Sequence, residues 1–168
     1  MVSLSDFSIV LTGVSVSLAA IYYILTLRNT QRNMKMTLET RQTQLFMDLY
    51  AVMRNKEFVR DTRELTYWKW NDFEDFRKKY GSRASKEANS VFVSIGNFFD
   101  GIGVLVKRNL INPDLVDDLM SPWVEWYWNT FGSVITEYRK IVGPQYMEWV
   151  EYLYDRIKSV KKSLTPLN

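Results

Sequence analysis

Carboxylates are the residues of this chain that could do acid–base or metal chemistry, because its 168 residues include no cysteine and no histidine. Without thiols there is no disulfide framework, no cysteine-based zinc or iron–sulfur site and no thiolate nucleophile. Without imidazole there is no Ser-His-Asp triad, no histidine haem ligand and no ordinary neutral-pH general base. Most familiar enzyme classes are therefore excluded, and the question is whether Asp and Glu side chains converge.

The spacing of the acidic residues does not predict a catalytic site. Glu57, Asp61 and Glu64 alternate with Arg60 and Arg63, which is the pattern of a solvated, ion-paired helix face. The other notable carboxylates are expected in the first turn of a helix or on exposed faces: Asp72, Glu74, Asp75, Asp100, Asp117 and Asp118. We therefore expect a protein that is not an enzyme and has no metal or cofactor. A Mg²⁺ enzyme, which would need three convergent carboxylates, is the alternative.

The densest aromatic segment contains Trp123, Trp126, Tyr127 and Trp128. The chain has six Trp, ten Tyr and nine Phe residues, and a large aromatic core is the simplest explanation. However, Trp126 and Trp128 fall partly off the inward stripe of their predicted helix. The cluster could instead form a protein interface, contact lipid headgroups, or line a ligand pocket together with Trp68.

The elements that position these residues begin with an uncharged segment, Phe7 to Leu27. As a helix it would be about 31 Å long, close to the hydrocarbon thickness of a bilayer. A cleaved signal peptide is the alternative, but the segment follows Asp6, lacks a basic start and has Tyr22 and Tyr23 where small residues would be expected. Because all 22 basic residues come after it, the positive-inside rule places the N-terminus outside and the rest in the cytoplasm.

One face of this segment carries small residues, and they are a candidate interface within the membrane: Ser8, Thr12, Ser15 and Ala19. Small side chains let a second helix approach closely in lipid. The alternative is that they are only tolerated in a solitary anchor. The expected partners are the lipid bilayer, another membrane subunit or a second copy of this chain; the mild, mixed charge of the remainder does not indicate nucleic acid.

The pattern after the anchor predicts an all-α protein whose soluble part is an antiparallel helical bundle. We expect an N-terminal tail and transmembrane anchor at 1–27, a helical stalk at 28–44, a bundle at 45–162 and a tail at 163–168. The predicted helices are 6–54, 56–67, 71–80, 82–108, a short one from 113 to 120, then 122–142 and one from 144 onward. Three glycines in the fourth helix, Gly96, Gly101 and Gly103, indicate close helix crossing.

The chain resembles an uncharacterised prokaryotic family whose domain has no known function. The similar segments are ETRQTQLFMDLY (39–50), SIGNFFDGIGVLVKRNLINPDLVDDL (94–119) and WYWNTFGSVITEYRK (126–140). The resemblance implies an N-terminal membrane helix and a cytoplasmic helical domain, and it supplies no catalytic residue. A looser resemblance connects the chain to membrane-anchored helical proteins described as phage abortive-infection factors.

Together these observations favour a membrane-anchored, non-enzymatic interaction module, such as an accessory subunit or scaffold of a membrane complex. The alternative is a membrane-tethered sensor that binds a lipid or a small apolar ligand in an aromatic-lined bundle.

Overall fold

A computed structural model describes the backbone of residues 4–164 and the side chains of residues 8, 9 and 11–159. These residues form six helices and no strand: α1 (Leu4–Met53), α2 (Lys56–Thr66), α3 (Phe73–Tyr80), α4 (Lys86–Lys107), α5 (Pro113–Val142) and α6 (Glu148–Leu164). The all-α prediction is confirmed. Of the predicted tail at 163–168, residues 165–168 lie outside the described part, as does the start of the chain before Leu4.

The chain divides into two compact units between Arg41 and Gln42. The first unit is the N-terminal part of α1, and every side chain described in it is exposed. Its helix satisfies its own hydroxyl groups, because Thr12 Oγ1 donates to the Ser8 carbonyl and Ser15 Oγ donates to the Leu11 carbonyl, each at 2.8 Å. The long helix predicted at 6–54 is therefore present, with small shifts at its ends.

By length and composition, two of the described helices could cross a membrane: α1 from Leu11 to Met53, and α4. They differ in burial, since none of the apolar window of α1 is buried, whereas 39% of that of α4 is. The core helix of a soluble protein passes the same criterion, so length and apolarity alone do not distinguish the two cases.

Four helices of the second unit begin at a capping residue whose type can be recognised in the sequence. Asn55, Asp72, Ser85 and Asn112 each accept a hydrogen bond from a backbone N–H in the first turn of α2, α3, α4 and α5 respectively. Such caps satisfy N–H groups that have no partner within the helix. The caps also explain why α3 and α4 start later than predicted, at Phe73 and Lys86 instead of 71 and 82.

The prediction of two helices at 113–120 and 122–142 is wrong, because α5 is continuous and contains Pro122. Val116, Met120 and Val124 are fully buried on one face that runs past the proline. Pro122 itself is exposed, so its ring and its missing N–H are accommodated on the solvent side. Tertiary packing of this face therefore outweighs the tendency of Pro122 to interrupt the helix.

The predicted start of the last helix at Pro144 is also wrong, because a turn occupies 144–147 and α6 begins at Glu148. Gly143 has φ 131° and Met147 has φ 49°. The Met147 side chain is buried, at 3% exposure, and this burial stabilises the left-handed conformation of its backbone. A helix that started at Pro144 could not continue through a residue in that conformation.

The core of the second unit is built around α4, which packs against α2, α3, α5 and α6. Its buried stripe is Phe92, Ile95, Gly96, Phe99, Ile102, Gly103 and Val106. The spacing of Trp123, Tyr127, Phe131, Val134, Tyr138 and Ile141 predicts that they form the inward stripe of their helix. This prediction is wrong at both ends, since Trp123 is 45% exposed and Ile141 is 61% exposed.

Two of the three α4 glycines lie at close contacts, as predicted, and the third does not. A Cβ on Gly103 would overlap the backbone of Trp149, with the carbonyl carbon only 2.7 Å away, and one on Gly96 would overlap Met147 and the Tyr127 hydroxyl. A Cβ on Gly101 would meet nothing within 4 Å. The turn before α6 therefore approaches α4 at Gly96, and the first turn of α6 approaches it at Gly103.

Candidate functional site

The aromatic segment of α5 is divided between core and surface. Tyr127 is fully buried, and its hydroxyl donates to the Phe92 carbonyl at 3.1 Å. Burial raises the pKa of Tyr127 well above its usual value, with smaller contributions from Tyr146 and Asp100. A phenol held neutral and hydrogen-bonded in this way is a structural element of the core.

The three tryptophans of this segment have different surroundings. Trp126 is half-buried and packs edge-on against Phe131, with ring centroids 6.1 Å apart. Trp128 contacts the Tyr154 ring at 6.0 Å and lies under the Arg139 guanidinium at 5.7 Å. Trp123 is exposed and meets Trp126 edge-on at 6.5 Å. Within this segment, Trp126 therefore packs on the core, Trp128 contacts α6, and Trp123 lies at the surface.

Trp68 lies in a different aromatic group from Trp123. Its ring stacks on Tyr80 with centroids 4.0 Å apart and planes within 1° of each other. It also meets Phe76 and Phe131 at 6.1 and 6.4 Å. Trp68 therefore belongs to the packed aromatic core, and neither it nor Trp126 lines the cavity beside Trp123.

That cavity has a volume of about 350 Å³ and opens where the end of α1, α2 and α5 meet. Met53 and Thr62 are its buried residues, at 7% and 2% exposure, and the half-buried rings of Tyr50 and Phe58 form its sides. The exposed residues at its mouth are Arg54, Val59, Leu119 and Trp123. The volume lies within the range of small-molecule sites, which is about 300 to 1,000 Å³.

Of the eight residues at this cavity, the sequence pointed to Trp123 alone. Leu119 lies on α5 together with Trp123, and the other six come from the end of α1, the turn that follows it and α2, roughly 60 to 70 residues earlier in the chain. Their pattern is that of ordinary amphipathic faces. Thr62 gives a weak signal in retrospect, because it is a polar residue four positions after Phe58 on the buried face of α2.

The carboxylates do not gather at this cavity, and among the described residues no three acidic side chains are placed as metal ligands. Arg60 pairs with Asp61 at 2.9 Å, and Lys79 pairs with Asp75 at 2.9 Å. The Lys79 ammonium and the Asn71 N–H lower the pKa of Asp75. Asp75 lies in the first turn of α3, as predicted. Exposed faces were predicted for Asp61 and Asp117, but both are half-buried, and the Oδ1 of Asp117 has no hydrogen-bond partner.

Asp100 is not on an exposed face, and that prediction is wrong. Its Oδ1 accepts hydrogen bonds from the backbone N–H groups of Trp149 (2.9 Å) and Val150 (3.2 Å), in the first turn of α6. Gly96, Asp100 and Gly103 share one face of α4, and the small glycines let α6 come close enough for this contact. Desolvation raises the pKa of Asp100, while the two N–H groups act in the opposite direction.

Arg139 holds the turn that precedes α6. Its Nε donates to the Tyr146 carbonyl and its Nη2 to the Met147 carbonyl, both at 2.9 Å, and its Nη1 pairs with Glu151. A planar guanidinium with several donors suits three acceptors at fixed positions. Asp100 and Arg139 are thus structural groups at the α5–α6 connection, and the cavity beside Trp123 is the candidate binding site.

No curated protein and no solved structure is significantly similar to this chain. A family model described as a domain of unknown function (DUF4760) matches residues 9–157. The match includes all three segments that prompted the resemblance to such a family, while a prokaryotic origin and a membrane helix stay predictions. Because the match covers most of the chain, this protein belongs to the DUF4760 family.

Proposed function

We propose that this chain is a single-pass membrane protein whose N-terminal helix anchors an antiparallel helical bundle on the cytoplasmic side of the cell membrane. The observation that carries the proposal is the exposure of large apolar side chains along α1, among them Ile9, Leu18, Ile21 and Leu25, which are 55–71% exposed. Soluble monomers rarely expose a continuous apolar surface of this length, whereas a bilayer covers it.

The basic residues that follow this apolar segment support a cytoplasmic location for the rest of the chain. Arg28, Arg32 and Lys35 follow it within two helical turns, and the preceding residues contain only Asp6 as a charged side chain. Basic residues next to a span are retained on the cytoplasmic side.

Packing supports assigning α4 to the domain and not to a second span. Phe99 and Ile102 on α4 are fully buried. Gly96 and Gly103 lie in close contact with the turn before α6 and with its first turn, respectively. In lipid these contacts would have to be given up, and Asp100, which caps α6, would be left in the hydrocarbon region.

The role we propose is a non-enzymatic interaction module, an accessory subunit or scaffold. Two surfaces support it: the small-residue face of the anchor, Ser8, Thr12, Ser15 and Ala19, and the exposed aromatic surface at Trp123. The Thr12 and Ser15 hydroxyls are already bonded within the helix, so this face would act through close packing. Its partner would be another membrane subunit or a second copy of the chain.

Topology can be tested with single cysteines, because the chain contains none of its own. Ser5→Cys should react with a membrane-impermeant maleimide on intact cells, and Ser159→Cys should react only after lysis. Labelling of Ser159→Cys in intact cells would contradict the orientation, and release of the whole chain by alkaline carbonate would contradict the anchor.

The interface within the membrane can be tested by oxidative cross-linking in the same background. Thr12→Cys and Ser15→Cys lie on the small-residue face, whereas Val14→Cys and Leu18→Cys lie on the bulky face and serve as controls. Cross-linked dimers from the first pair alone would support self-association, and cross-links to another membrane protein would support a subunit. Equal cross-linking of both pairs, or none in native membranes, would contradict the interface.

A second candidate function is the tethered sensor of a small ligand, and the cavity beside Trp123 is the observation that favours it. This cavity differs from the pocket expected from the sequence, since Trp123 lines it and Trp68 and Trp126 do not.

A further inference from the structure

The cavity beside Trp123 contains a buried hydroxyl group without a partner. Thr62 is 2% exposed, and its Oγ1 forms no hydrogen bond. Among the described side chains, only Asp117 has another buried polar atom of this kind, and Asp117 does not line the cavity. A buried hydroxyl carries a desolvation cost that a hydrogen-bonding ligand atom would offset. This residue therefore points to a ligand and not only to an open space.

The rest of the cavity determines what kind of molecule fits. Met53 and the Phe58 ring provide apolar contact inside, and Leu119 and Trp123 leave apolar surface at the mouth, at 41% and 45% exposure. Pockets with mainly apolar walls and a few polar groups are typical of small-molecule sites. The body of the ligand should be aromatic or aliphatic.

Charge at the cavity comes from one residue. Arg54 is exposed at the mouth, and it forms no ion pair with any side chain that the structure describes. No carboxylate lines the cavity to neutralise it. A guanidinium in this position favours a carboxylate or phosphate group on the ligand.

We propose that this cavity binds a small amphipathic organic anion. Its acidic group pairs with Arg54, its apolar body lies between Phe58 and Trp123, and a hydroxyl or carbonyl oxygen at its inner end bonds to Thr62. The inference rests on the second candidate function, ligand binding by the helical domain, and not on the membrane anchor.

Three soluble probes separate the parts of this assignment: 3-(4-hydroxyphenyl)propionate, 3-phenylpropionate, which lacks the hydroxyl, and tyramine, which replaces the acid by an amine. Each is titrated by saturation-transfer NMR against the full chain in nanodiscs, with empty nanodiscs as background. We expect the hydroxylated acid to bind about tenfold more tightly than 3-phenylpropionate, the ratio that one hydrogen bond supplies. Tyramine should bind more weakly than both.

Two variants with matched controls locate the binding. Thr62→Val keeps the side-chain shape and should abolish the preference for the hydroxylated acid, while Thr66→Val, exposed at the end of the same helix, should preserve it. Arg54→Gln should weaken both acids by about threefold, because the group is solvated, and the effect should fade with added salt. Arg83→Gln, an exposed arginine outside the cavity, should leave both affinities unchanged.

A preference for the hydroxyl that persists in Thr62→Val would overturn the assignment, and so would a failure of both acids to bind at millimolar concentration. Native mass spectrometry of the same preparation tests separately whether the domain carries any bound small molecule. A bound neutral metabolite, with the probes inactive, would overturn the ligand class and keep ligand binding by the domain. Absence of both probe and metabolite binding would end both proposals while leaving the anchor intact.

Discussion

Replacing Asp100 by Ala tests whether a side chain of α4 caps α6. The substitution removes the acceptor for two N–H groups, at 2.9 and 3.2 Å, in a half-buried place that water fills poorly. Loss of an N-cap side chain costs about 0.5 to 2 kcal/mol, and an unpaired buried donor costs about 1 to 3 kcal/mol. Because Asp100 serves both N–H groups and is only partly buried, we expect the free energy of unfolding to fall by about 2 kcal/mol.

This loss should be measurable as a shift in melting temperature. For a unit of about 130 residues the unfolding entropy is roughly 0.27 kcal/mol/K, so about 2 kcal/mol corresponds to a decrease of about 7 °C. Tryptophan fluorescence is the appropriate signal, since all six tryptophans lie between Trp68 and Trp149, in the second unit. Melting of the helix in the first unit therefore does not contribute to the measured transition.

Asp100→Asn separates the hydrogen bonds from the charge. Asparagine keeps an acceptor at the same position and is an equally good cap, so its stability at pH 7 should be within about 1 kcal/mol of the wild type. Burial raises the pKa of Asp100, so the folded state takes up a proton more readily than the unfolded one. The wild type should therefore gain stability relative to Asp100→Asn as the pH is lowered from 7 to 4, and lose it as the pH rises.

Asp118→Ala is the control, because Asp118 is an exposed residue of α5, and it should change the melting temperature by no more than about 2 °C. If Asp100→Ala melts like Asp118→Ala, the capping argument is refuted. If Asp100→Asn is as destabilised as Asp100→Ala, the charge and not the acceptor is what α6 needs, and the reasoning from hydrogen bonds fails.

Five further substitutions test packing in the second unit by thermal unfolding. Gly103→Ala should destabilise by about 3 kcal/mol, because the new methyl group meets the backbone of Trp149. Gly101→Ala should stabilise by up to about 1 kcal/mol, and equal effects of the two substitutions would refute the close crossing. Pro122→Ala should stabilise by about 1 kcal/mol or more, since it restores an N–H within α5, and a loss of stability would show that the proline shapes the helix usefully. Thr62→Val should stabilise the free protein by about 1 kcal/mol by removing an unpaired hydroxyl, with Thr66→Val neutral; a destabilised Thr62→Val would mean that the hydroxyl has a partner.

The positions of most helices in this fold were predictable because their signals are local. Asn112-Pro113 marks the start of α5 correctly, although the end predicted at 120 was wrong. The apolar spacing at i, i+3, i+4 and i+7 places α4 correctly except for its first turn. The break expected at Pro122 failed because a long-range effect, the burial of Val116, Met120 and Val124 on one face, outweighed it. The start of α6 failed for the same reason, since Met147 is fixed in the core.

The candidate site was predictable only in part, because it is assembled from residues distant in the chain. Trp123 stood out as one of several clustered tryptophans, yet nothing in the sequence showed that it would meet Thr62 and Phe58 of α2. Asp100 was misjudged because it lies opposite the apolar stripe of its helix. The glycines on the same face predicted a close crossing, but the segment that crosses there is evident only when Trp149 is seen against Gly103.

Arg139 restricts the length of the loop between α5 and α6. Its guanidinium reaches two backbone carbonyls of residues 146 and 147 and the carboxylate of Glu151. An insertion between 143 and 147 would move these acceptors out of register, and a lysine could not replace the planar fork. Relatives that retain this arginine should therefore show no insertions or deletions here, while those that have lost it should vary in both loop length and the sequence that opens the final helix.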